Sequence, residues 1–159
     1  MLLLKFHGTP IKGDAKVEGH EDWLRVESYT WGCGRSVSIS GKDRDTGVAS
    51  FSDISLTRQN DIASAILMKQ ALIGKSQGKA ELHVIQTNGN KTQVLAIIEL
   101  GDVIINSYNF QVGSDGRGQE SFSMNCTWWG LQYNSFDGTK VKVGKQKVWD
   151  CVAHKEMPT

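Results

Sequence analysis

Apolar and polar side chains alternate at a period of two over most of this sequence, and a single short stretch breaks into helical spacing. Alternation of that kind puts successive side chains on opposite faces of a strand, so the chain is constrained to build half-buried sheets. Residues 2–7 read as a first strand, with a turn at Gly8-Thr9-Pro10. Residues 22–31 place Leu24, Val26, Ser28 and Thr30 on one face and Trp23, Arg25, Glu27, Tyr29 and Trp31 on the other. Alternation returns over 48–57, 79–87 and 91–99, and again from 119, where Phe122, Met124 and Cys126 oppose Ser121, Ser123 and Asn125. Asn88-Gly89-Asn90 is a hairpin signal because Asn and Gly tolerate positive φ. The apolar run 94–105 reads as one long strand with a bend at Gly101, and a last pair around 131–136 and 139–149 turns at Asp137-Gly138.

Two stretches depart from the pattern. Residues 64–73 read as a short helix, with Ser64 able to cap it, Gly74 able to end it in the left-handed conformation, and Ile66, Ala71 or Gln70, and Ile73 near one face. Residues 32–47 hold four glycines and the charged cluster Lys42-Asp43-Arg44-Asp45, and read as an extended glycine-rich loop or flexible hairpin. Loops beyond about 12–15 residues are uncommon in compact domains and are usually functional or disordered. The expected fold is mainly β, a small barrel or two packed antiparallel sheets carrying one helix. With no repeat or linker, residues 1–159 form a single domain, and 150–159 are read as a tail without fixed structure.

Eighteen basic and 17 acidic residues leave a formal charge of +1. Such a balance gives no long-range field for nucleic acid or an anionic membrane, and it favours self-association. Cys33, Cys126 and Cys151 are far apart and odd in number, which suits buried thiols in a reducing compartment rather than a disulfide framework. Met1 to His7 is too short and lacks the flanks of a signal peptide or membrane span.

Catalytic patterns are missing. Gly19-His20-Glu21-Asp22 is the densest polar cluster, but consecutive residues on an extended chain point apart, so it reads as a solvated turn. His7, His83 and His154 are scattered, and no HExxH, GxSxG or phosphate loop occurs. Cys33 has only Arg35 as a cationic neighbour in sequence. Lys140, Lys142, Lys145 and Lys147 read as an exposed strand face, and Trp128-Trp129 as core or interface residues. No cofactor, metal site or enzymatic role is expected.

Four segments together resemble the haemolysin-coregulated protein family, Hcp. They are Ile11-Lys12-Gly13-Asp14 after the first strand; His20 through Tyr29-Thr30-Trp31-Gly32; Ile54-Ser55-Leu56-Thr57-Arg58 with Asp61 and the helix; and Glu120 to Tyr133. The resemblance covers about residues 2–135. It implies a non-enzymatic type VI secretion tube subunit, forming homohexameric rings that stack into an expelled tube. Implied partners are a VgrG spike, a contractile sheath and baseplate, and small effector proteins in the lumen, with neither nucleic acid nor membrane insertion. The implied route is cytoplasmic synthesis followed by export without a cleaved signal. On this reading the 32–47 arm contacts a neighbouring subunit through Ser36, Ser38, Lys42, Asp43, Arg44 and Asp45, while Ser28 and Thr30 face the lumen. The alternatives are a tail-tube protein of a phage or extracellular contractile device, a secreted β-sandwich binding module using Trp128 or Trp129, and a small hydrolase using His20 and Asp22.

Overall fold

Strand formation follows the alternation, and the inward faces close on one another as two sheets. The computed structural model describes residues 1–88, 91–137 and 140–159. The strands are β1 (Leu2–Phe6), β2 (Lys16–Val17), β3 (His20–Glu21), β4 (Leu24–Val26), β5 (Ser28–Thr30) and β6 (Cys33–Ser40). Next come β7 (Asp43–Phe51), β8 (Ile54–Gln59), the helix α1 (Ser64–Ile73), β9 (Ala80–Asn88), β10 (Lys91–Gly101) and β11 (Ile104–Val112). The chain ends with β12 (Gly118–Asn125), β13 (Trp128–Tyr133), β14 (Ser135–Asp137), β15 (Lys140–Lys142), β16 (Lys147–Asp150) and β17 (Lys155–Met157). A seven-stranded sheet runs β17-β16-β13-β10-β9-β1-β4, a four-stranded sheet runs β11-β12-β8-β5, and β2-β3, β6-β7 and β14-β15 are separate two-stranded ribbons. Every pairing is antiparallel.

Leu4, Leu24, Leu56, Leu82, Ile98, Leu100, Ile105 and Phe122 fill the space between the two large sheets. Each such side chain contributes roughly 1.5–3 kcal/mol by leaving water. Leu3 is equally buried although it faces the other way, because Ala15, Trp23 and Ile85 close a second, smaller core against it. Burial on both faces explains why β1 is a continuous leucine run rather than an alternating one.

Residues 22–31 are not one strand. The chain leaves the seven-stranded sheet after Val26 and enters the four-stranded sheet at Ser28, while the Glu27 N–H donates to Thr57 O at 2.8 Å. Crossing between sheets reverses which parity faces the core. Leu24 and Val26 are buried, whereas Ser28 and Thr30 are exposed and Tyr29 and Trp31 turn inward.

The 94–105 run likewise divides. Gly101 ends β10, and Asp102, at φ 50°, turns the chain into β11 in the other sheet. Gly101 lies directly opposite Trp128, and a Cβ there would sit 1.7 Å from the indole Nε1, so only glycine leaves room. The irregularity in β10 falls between Val94 and Ala96 instead.

Helix α1 ends as expected, with Gly74 at φ 66° and its N–H on Gln70 O. Its start differs: Ala63 holds the cap position, and the Ser64 hydroxyl accepts from the Asp61 N–H at 3.0 Å. Ser64 and Leu67 face the core with Ala71 packed alongside, whereas Ile66 and Ile73, expected near one face with Ala71 or Gln70, are exposed.

The 32–47 segment is an ordered hairpin that continues to Phe51, because β6 and β7 pair from Cys33–Phe51 to Ser40–Asp43 around Gly41 and Lys42. Both faces meet solvent, so no alternation announces it. The 150–159 tail also carries structure: β17 pairs with β16 at the edge of the large sheet. Gly89 and Asn90 of one expected turn, and Gly138 of the other, lie outside the described residues.

Candidate functional site

The solvent face of the four-stranded sheet is built from three cross-strand rows of neutral polar side chains. Ser28, Thr57, Ser121 and Asn109 pair in one row, and Thr30, Ser55, Ser123 and Ser107 in the next. Gln59, Gln119 and Gln111 make a third. The same alternation that buries Leu56 and Phe122 drives these residues outward. Neighbours hydrogen-bond along the rows, with Ser28 Oγ 2.6 Å from Thr57 Oγ1 and Ser107 Oγ 2.5 Å from Ser123 Oγ. Carboxylates stand at the margins and are engaged: Asp53 accepts from Asn106 at 2.6 Å and Asn125 at 2.9 Å, and Glu27 accepts from Gln119 at 2.8 Å.

Ser28 and Thr30, the two residues singled out from sequence, are both exposed on this face. The other members of the rows become neighbours only through strand pairing, which local sequence does not show. The signal was present in Ser121, Ser123 and Asn125, which alternate against Phe122 and Met124.

Beneath the face lies a buried ionic cluster. Arg58 and Glu120 are each 1% exposed, and the guanidinium Nη1 donates to Glu120 Oε1 at 2.7 Å. Arg58 also pairs with Asp61 through Nη2 and donates from Nε to Arg25 O at 3.0 Å, while the Tyr108 hydroxyl donates to Glu120 Oε2. Burial, then the Glu120 hydrogen bond, pushes the Tyr108 phenol well above its usual range, so it remains a donor. The cluster ties β8, β12, β11, the start of α1 and β4 together.

The β6–β7 ribbon projects from this body. Its root is fixed by Gly32 and Ser52, which exchange two hydrogen bonds of 2.7 and 2.8 Å. It is also fixed by Phe51, stacked on Trp129 at 5.5 Å, with Trp31 edge-on to both. Ser36 and Ser38 lie exposed on β6, Ser36 at the bulge between Arg35 and Val37. Lys42, Asp43, Arg44 and Asp45 form the tip, all exposed and, among the described residues, in no ion pair within the protomer. Val37, Ile39 and Val48 are 56%, 74% and 69% exposed. An isolated two-stranded ribbon is marginal in water, and this one carries those aliphatics exposed.

The catalytic candidates do not converge. His20 is buried, not solvated, with Nε2 2.8 Å from Nδ1 of His83 and Trp23 packed edge-on at 4.7 Å. Burial, then the adjacent His20, lowers the His83 pKa below the usual imidazole value. Asp22 turns away to Lys12 at 3.2 Å. Trp128 and Trp129 are both partly buried, so neither offers a flat exposed platform. Among the described residues no group of three or more His, Cys, Asp or Glu is placed to hold a metal ion.

A family model described as "Type VI secretion system effector, Hcp" matches residues 3–133. No curated protein sequence matches. Among solved structures, one described as a type six secretion system protein superposes with TM-score 0.88 at 23% identity, covering 98% of both chains. Hcp1 from Salmonella typhimurium gives 0.77 at 20% identity, covering 98% of this chain and 97% of its own. A type VI secretion system effector from Yersinia pestis gives 0.71 at 20%, covering 94% and 99%.

Proposed function

The chain belongs to the Hcp family of type VI secretion proteins, and from that premise we propose that its copies close into homohexameric rings whose bore is lined by the polar face. It is a secreted, ring-forming tube protein, as the family is. No helix among the described residues is long and apolar enough to cross a membrane. The finer reading is a tube of stacked rings, made in the cytoplasm, carried by a sheath and baseplate, tipped by a VgrG spike and loaded with small effectors.

The observation that carries the lumen assignment is the chemistry of the three rows. A bore that must hold a cargo and then release it needs a surface without apolar patches or unpaired charges. Neutral hydroxyls and amides fit, because each exchanges a water hydrogen bond for a protein one at a net gain of only about 0.5–1.5 kcal/mol. The ribbon supplies the complementary function of contact between subunits. Its tip alternates Lys42, Asp43, Arg44 and Asp45, so a neighbour of either sign can be met, and its exposed aliphatics add apolar area. Heterologous contacts of this kind close into rings when the rotation closes.

The lumen assignment is tested by Thr30→Cys in a chain whose native cysteines are replaced. A bulky thiol reagent should label it readily in the free protomer and in open tubes. Labelling should be strongly slowed when tube ends are capped. Equal labelling of free protomer and capped tube places Thr30 outside the bore.

A further inference from the structure

The three cysteines, scattered in sequence, gather around one cavity of about 540 Å³ between the ribbon root and the β16–β17 turn. Phe51, Trp129 and Trp149 form its apolar wall. Two of the thiols are neighbours. The Cys151 N–H donates to Thr127 O at 2.8 Å, which brings the turn after β16 against the residue that follows Cys126. Cys126 is buried in the main core and Cys151 packs against that same cluster. Both side chains line the same cavity wall, Cys126 from the end of β12 and Cys151 from the turn after β16.

We propose that Cys126 and Cys151 are a redox-active dithiol, oxidised to an intramolecular disulfide by low-molecular-weight disulfides entering the cavity. Cys151, the more exposed of the two, attacks one sulfur of the small disulfide as its thiolate. A mixed disulfide forms, and the first small thiol leaves with the proton Cys151 gave up. Cys126 then attacks the Cys151 sulfur, forming the protein disulfide and expelling the second small thiol with its own proton. Two protein thiols are oxidised and one small disulfide is reduced to two thiols. The cavity has room for the small-molecule half of the mixed disulfide.

Burial pushes the Cys126 thiol up to about 12, with the adjacent Cys151 adding to the shift, and burial also raises Cys151. Thiols held protonated exchange slowly, while the form present at equilibrium is set by the ratio of small disulfide to small thiol, which is why oxidation calls for alkaline pH and excess disulfide. Closure ties the β16–β17 turn to the end of β12. It shortens the chain freedom of the intervening segment in the unfolded state, which raises the resistance of the folded chain to denaturant. The chemistry belongs to one chain and does not depend on ring assembly.

The test treats the Cys33→Ser protein with oxidised glutathione at mildly alkaline pH, then counts thiols after unfolding and maps peptides by mass. Both remaining thiols should disappear, with a peptide linking Cys126 to Cys151 and no retained glutathione. The urea midpoint should rise and return on reduction. In Cys33→Ser/Cys126→Ala, Cys151 should instead keep glutathione as a stable adduct. Peptide mapping of the oxidised natural sequence gives the same link without any substitution. Persistence of both thiols, or their loss only as glutathione adducts or links between chains, overturns the proposal.

Discussion

Replacing Glu120 by alanine tests whether the buried ionic cluster holds the four-stranded sheet together. The substitution removes the acceptor of two bonds, from Arg58 Nη1 and the Tyr108 hydroxyl, at a site 1% exposed. Hydrogen bonds to a charged group contribute about 1.5–3 kcal/mol each. Removing one partner of a buried ion pair costs about 3–5 kcal/mol, because the survivor stays desolvated. The two routes agree on roughly 4 kcal/mol. With a urea slope near 2 kcal/mol/M for a domain of this size, the midpoint should fall by about 2 M. Intrinsic fluorescence of the tryptophans reports the transition, at one fixed protomer concentration so that assembly does not shift it. The double variant Arg58→Met/Glu120→Leu should lie closer to the natural protein than Glu120→Ala does, since no buried guanidinium is left with Nη1 stripped of its acceptor. Asp61 then retains the Ala63 N–H at 2.8 Å as its donor. A fall of less than about 0.5 M for Glu120→Ala would refute the reasoning, since it would put the loss below a single charged hydrogen bond.

Acid should weaken the fold through His83. Its folded-state pKa lies below the unfolded value of about 6.5, so its contribution is complete above that pH and is lost as pH falls through the folded value. The loss has a limiting slope of about 1.4 kcal/mol per pH unit for one proton. His83→Asn should flatten urea midpoints measured from neutral to acid pH, and an unchanged slope would exonerate the residue. At the ribbon tip, replacing Lys42, Asp43, Arg44 and Asp45 together by serine should leave the protomer's urea midpoint within what about 0.5 kcal/mol moves, while cutting ring formation in size-exclusion profiles. Gly101→Ala should lower stability by about 1–3 kcal/mol through overpacking against Trp128, read as a midpoint shift with altered tryptophan emission.

Sequence pattern exposed whatever depends on local period. The Leu24 and Val26 face, the outward Ser121 and Ser123, and the Gly74 helix end were all legible because each follows from neighbours within a few residues. The crossing at Glu27 was not, since continued alternation conceals a change of sheet that reverses its meaning. The β6–β7 ribbon was legible only as a loop or flexible hairpin, because strands exposed on both faces carry no alternation to fix their extent and register. Long-range partners were the other blind spot. Arg58 meets Glu120 across 62 positions and His20 meets His83 across 63, and only the sheet topology joins them. The family resemblance marked Arg58, Asp61 and Glu120 as fragments of two separate motifs. Their meeting in one buried cluster gives those fragments a physical reason.

A tube of this protein requires ring formation, and the mass of the particle in solution reports it. Light scattering after size exclusion, at moderate salt and rising protein concentration, should give six times the 17.6 kDa protomer. A particle that remains at 17.6 kDa at the highest attainable concentration would contradict it.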